Sequence, residues 1–80
     1  MLQMTDIFTR VGYSTTDDGT KIVQYTCQIP LTKPEAMTVR RTVLNNDLYK
    51  EHRDACREDY AKFEDGAYEE QQRFLDNLSE

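Results

Sequence analysis

The chain has no tryptophan, three glycines, two prolines and two cysteines among 80 residues, and no apolar run longer than two residues. A membrane-spanning helix needs about 18 or more consecutive apolar residues, so no such helix is expected. Cys27 and Cys56 form no CxxC pair and read as small buried hydrophobes carrying free thiols. Gly12, Gly19 and Gly66 are isolated, so there is neither a phosphate-cradling loop nor a dinucleotide fingerprint, and HExxH and EF-hand patterns are missing too. The opening residues, Met1-Leu2-Gln3-Met4-Thr5-Asp6, lack the basic stretch and apolar run of a secretory signal, which makes the expected location cytoplasmic.

What is present is a folding composition. Hydrophobic residues make up 38% and charged residues 31%, with 15 acids against 10 bases and a net charge of -5. Five tyrosines and three phenylalanines, with Val, Ile and Leu, keep the chain out of the disordered class. Residues 1–80 make one small domain, which buries only about 60% of its unfolded surface. A lid, a cofactor cavity and a second lobe do not fit in that volume, so no enzyme and no cofactor are expected.

Charge is unevenly divided. Residues 1–46 hold four acids and five bases, net +1, whereas residues 47–80 hold eleven acids and five bases, net -6. The first part carries the strand signals: Ile7, Thr9, Val11 and Tyr13 alternate with Phe8, Arg10 and Gly12, and Val23, Tyr25, Cys27, Ile29 and Leu31 alternate with polar partners. A three-residue turn, Asp17-Asp18-Gly19, with Gly19 left-handed, pairs Tyr13 with Val23, Val11 with Tyr25, Thr9 with Cys27 and Ile7 with Ile29. Thr32-x-x-Glu35 with Pro34 resembles a helix capping box. The β-branched stretch from Thr38 to Val43 favours instead a third strand over residues 37–44, with Ile29 opposite Met37, Cys27 opposite Val39 and Val23 opposite Val43.

Asn45-Asn46 caps a helix over about 47–64, with Leu48, Tyr49, His52, Cys56, Tyr60 and Phe63 on its apolar flank. Asp65-Gly66 interrupts it, and a short second helix follows over about 67–78. The expected fold is α+β: a three-stranded antiparallel meander over about 5–44, then a long and a short helix packed on one sheet face.

No constellation here carries catalysis. His52, Cys56 and Asp59 share one helix flank, but side chains of one helix project in parallel and no oxyanion site accompanies them, so they read as packing residues. Cys27, His52 and Cys56 lack a fourth ligand, and no metal site is expected.

The acidic stripe is more informative. Asp47, Glu51, Asp54 and Glu58 fall in one narrow helical sector spanning about 16 Å, with Asp65, Glu69 and Glu70 as further candidates. Such a line of carboxylates is either a solvated face or a docking edge for a basic surface, imitating a nucleic-acid backbone. The other candidate is the uncovered sheet face, expected to present Phe8, Arg10, Gln28 and Arg40 for stacking and hydrogen bonding to unpaired bases. A net negative charge opposes duplex DNA binding.

In size, acidic charge and lack of catalytic apparatus, the whole chain resembles the small acidic accessory proteins of bacteriophages, including anti-CRISPR and other anti-defence inhibitors. That resemblance implies a stoichiometric inhibitor or regulator that occupies the basic groove of a nucleic-acid-binding partner. The alternatives are a single-stranded nucleic-acid or RNA-binding module and a homodimeric phage structural or regulatory subunit; a monomer and a homodimer both remain open.

Overall fold

The structure is a computed structural model and describes residues 1–2 and 4–78. Three strands, β1 (Ile7–Thr15), β2 (Lys21–Pro30) and β3 (Thr38–Val43), precede two helices, α1 (Asn46–Glu51) and α2 (Arg53–Leu78). The sheet is antiparallel in the order β1-β2-β3, and both helices lie on one of its faces. The α+β arrangement, with a three-stranded meander followed by one long and one short helix, is the one expected.

The β1–β2 turn closes as the turn chemistry demands. The Thr16 amide donates to the Thr20 carbonyl at 2.9 Å around Asp17-Asp18-Gly19, and Gly19 takes φ 89°, a conformation glycine adopts without steric cost. The Thr16 and Thr20 hydroxyls both donate to the Asp18 carboxylate, which holds its carboxyl below the usual range.

The register changes one step beyond the turn. Thr15 pairs with Lys21, but Ser14 pairs with Val23, leaving Ile22 as the extra residue of a β-bulge. Consecutive Ile22 and Val23 are both buried, which strict alternation would forbid. The expected pairing of Tyr13 with Val23 and its successors is therefore replaced by Gly12–Tyr25, Arg10–Cys27 and Phe8–Ile29. A one-residue slip turns the whole strand over. Phe8, Arg10, Gly12 and Ser14 face the helices, while Ile7, Thr9, Val11 and Tyr13 face outward.

β3 takes the expected register, with Val23 opposite Val43 and Cys27 opposite Val39. Residues 34–36 form a single 3-10 turn with no side-chain cap, and Met37 lies just outside the strand.

Asn45 caps α1 by accepting the Leu48 amide at 3.1 Å. The helical break falls at His52 (φ -116°, ψ 28°), and α2 runs on through Asp65-Gly66 for 26 residues. The short helix therefore precedes the long one, against the expected boundaries of 47–64 and 67–78. Tertiary packing explains the continuity: Cys56, Tyr60, Phe63, Ala67, Glu70 and Phe74 follow a 4-3-4-3-4 spacing, one uninterrupted inward face, and a single glycine costs a helix only about 1 kcal/mol.

The core has two clusters. Ile22, Val23, Tyr25 and Cys56 pack with Leu48, Tyr49, Tyr60 and Phe63; Cys27, Ile29 and Ala67 pack with Phe8, Met37, Val39, Phe63 and Phe74. Phe63 joins them, 5.7 Å from Tyr25 ring to ring and seated over Gly12, where a Cβ would come within 3.2 Å of the ring.

Candidate interaction surfaces

The helix layer holds one buried polar chain. Ser14, 3% exposed, donates to the Asp59 carboxylate at 2.8 Å and lies 2.6 Å from the Tyr25 hydroxyl, which reaches the Cys56 carbonyl at 3.0 Å. Burial pushes the Tyr25 hydroxyl above its ordinary titration range, and nearby Cys56 and Asp59 act in the same direction. The arrangement locks β1 and β2 to α2. Ser14 is sealed from solvent within it. His52 is exposed at the helical break, not packed at the boundary of helix and sheet, while Cys56 is buried. Cys27 and Cys56 are free buried thiols, and desolvation raises the Cys27 thiol above its ordinary value. Among the described residues, no three His, Cys, Asp or Glu side chains gather as metal ligands, and no helix is long and apolar enough to cross a membrane.

The acidic candidates separate by position. Asp47 and Glu51 stand exposed on α1, and Asp54, Glu58, Asp65 and Glu69 stand exposed on α2. At about 100° per residue, the last four lie within about 60° of one another and opposite Cys56 and Ala67. Because α2 is unbroken, they form one line about 22 Å long at 1.5 Å per residue. The break at His52 sets Asp47 and Glu51 on a separate segment. Glu70 leaves the group: its carboxylate accepts from Arg10 at 3.3 Å and Arg73 at 3.1 Å, and its side chain is 12% exposed.

The nucleic-acid candidates do not share a face. Phe8 packs against Phe74 at 5.5 Å between ring centroids, and Arg10, on the same side of the sheet, is partly exposed and turns to Glu70. Gln28 and Arg40 lie on the open side. The bulge at Ile22 is the reason, since it inverts β1 against β2. The rows across the open face are Thr9–Gln28–Thr38, Val11–Thr26–Arg40 and Tyr13–Gln24–Thr42. Ile7, Val11 and Tyr13 are 52%, 46% and 41% exposed there. The adjacent Ile22-Val23 pair immediately after a turn is the sequence signal for this inversion, because two consecutive apolar residues in a half-buried strand ask for a bulge.

Arg41, on the helix side of β3, covers the Tyr49 and Tyr60 rings at 6.0 and 5.8 Å, a cation–π cluster with no counterpart in the periodicity of the sequence.

The chain matches no protein-family model, and no curated protein and no solved structure is significantly similar to it.

Proposed function

We propose that this chain is a non-enzymatic cytoplasmic interaction protein that docks its acidic helical face on the basic surface of a nucleic-acid-binding partner and inhibits or regulates that partner stoichiometrically. The observation that supports this reading is the unbroken α2, along which Asp54, Glu58, Asp65 and Glu69 stand in one exposed line. Their mutual repulsion costs a few tenths of a kcal/mol at each i,i+4 contact, which a complementary basic groove would relieve. Asp47 and Glu51 extend the acidic surface past the break at His52. The chain's resemblance in size and charge to phage anti-defence inhibitors implies the same manner of action. The single-stranded nucleic-acid reading is less favoured, because Phe8 packs on α2, Arg10 pairs with Glu70 on the helix side of the sheet, and Arg40 is left as the one arginine of the open face.

The test is affinity capture from a host lysate with the wild type and with Glu58→Lys/Asp65→Lys, followed by nucleic-acid binding by the captured partner. The expected partner is eluted by salt, is lost to the reversed variant, and releases its nucleic acid when the wild type is added in equimolar amount. A partner retained equally by both forms, or one whose nucleic-acid binding is untouched, would overturn the proposal.

A further inference from the structure

The open sheet face is unlike the rest of the molecule. Its outward positions on the three strands hold two charged side chains, Arg40 and, at the turn end, Lys21 with its ammonium 4.2 Å over the Tyr13 ring, and no acid, in a chain that is 31% charged. Depletion of charge with retention of tyrosine and aliphatic groups is the compositional mark of an interface centre. Six of the ten exposed large apolar residues among those described lie between Met1 and Tyr13, on or leading into edge strand β1.

The shape says the same. A compact 80-residue domain has a radius of gyration of about 12 Å; this chain has 15.2 Å and extents of 46 × 28 × 18 Å, a plate one helix and one sheet thick. A folded monomer of this mass exposes about 5,000 Å², and this one exposes 5992 Å². The exposed Met1, Leu2 and Met4 side chains and the long α2 supply part of the difference and the uncovered face a further share. The difference is of the size that one partner contributes to a standard interface, about 800 Å².

We infer that the open face, centred on Val11 and Tyr13, packs against the same face of a second copy, giving a two-fold sheet-on-sheet homodimer. Charge permits a second copy on this face and opposes one on the helix face. Stacked sheets lie about 10 Å apart and each helix layer about 10 Å further out, so the two acidic helices end about 30 Å apart, some three screening lengths at 0.1 M salt. A helix-to-helix dimer would press the carboxylate lines together. The inference is independent of the acidic docking reading, since it uses the opposite side of the molecule and leaves both helices free.

The test is sedimentation of the purified chain from about 1 to 100 μM. The wild type should approach twice 9.4 kDa. Val11→Glu and Thr9→Glu should each raise the dimer dissociation constant about a hundredfold. Tyr68→Glu, an exposed apolar position on α2, should leave it unchanged. Both strand variants change solvent-exposed side chains, and an unaltered far-UV circular dichroism spectrum confirms that they fold. A wild type that stays monomeric at 100 μM, or a dimer that survives Val11→Glu, overturns the inference. A monomer that binds oligo(U), and loses that binding on Arg40→Glu, assigns the face to nucleic acid instead.

Discussion

The contact of Phe63 with Gly12 permits a test of the β1 register that a single substitution would not. A Cβ built on Gly12 comes 3.2 and 3.3 Å from two carbons of the Phe63 ring, and that ring also packs against Tyr25 and the second core cluster. Gly12→Ala gains about 0.5–1 kcal/mol from the lower backbone entropy of alanine in a strand, but forcing the ring aside costs about 1–3 kcal/mol of overpacking. The net is a loss of about 1 kcal/mol. Phe63→Ala alone should cost about 2–3 kcal/mol, below the range for a fully buried ring because Phe63 is half-buried. With the ring gone, Gly12→Ala should stabilise by about 0.5 kcal/mol, so the double-mutant cycle should show a coupling of about 1.5 kcal/mol. Urea unfolding followed by tyrosine fluorescence reads it directly, since with a slope near 1 kcal/mol/M the coupling corresponds to about 1.5 M in midpoint. If β1 lay in the register without the bulge, Gly12 would face outward. The substitution would then stabilise in both backgrounds, and a coupling within about 0.3 kcal/mol would refute the observed pairing.

Two further predictions concern the layer between sheet and helix. The Cys27 thiol and Tyr25 hydroxyl both titrate above their ordinary values of 9.0 and 10.0, because burial disfavours their anions. The folded state then holds their protons more tightly than the unfolded chain, so stability is complete below about pH 9 and falls as pH rises beyond it. Urea midpoints should decline as pH rises from about 9 to 10.5, and Cys27→Ala should remove the earlier part of the decline; a flat profile contradicts the assignment. Ser14→Ala removes the donor to Asp59 and one partner of Tyr25, and should cost about 1–2 kcal/mol in the same assay, with a loss below 0.3 kcal/mol counting against the buried chain of hydrogen bonds.

The sheet was legible wherever one alternation governed both strands. Val39 and Val43 fell opposite Cys27 and Val23 because all four belong to one period-two apolar set, and Gly19 marked the turn because a left-handed residue was required there. β1 was not legible from its own pattern. Ile7, Val11 and Tyr13 are the more apolar set, and alternation alone sends them inward. The opposite set wins because Phe63 needs the flat surface of Gly12, and because Ser14 and Arg10 find Asp59 and Glu70 on the helix. Those partners lie 45 and 60 residues away in sequence, beyond the reach of any local period. Gly66 misled in the same way, since its intrinsic cost is local while the inward face from Cys56 to Phe74 that overrides it extends across five helical turns.

Both candidate surfaces follow from these two non-local outcomes. Had α2 stopped at Gly66, Asp65 and Glu69 would sit on a separate segment, and no carboxylate line would exceed the reach of a few turns. Had β1 kept the register of its turn, the aromatic and arginine would face outward, and the apolar residues would be covered by the helices. The bulge and the continuous helix instead sort the molecule into an acidic side and a side without acids. Segregation of this kind is costly for an isolated monomer, which gains by interspersing opposite charges over its surface. It costs less in an assembly, where the acid-free side is covered and the acidic sides stand well beyond a screening length from each other. The two sides therefore answer to different tests: salt should weaken whatever binds the acidic helix, and a buried glutamate at Val11, whatever the salt, should weaken what binds the sheet.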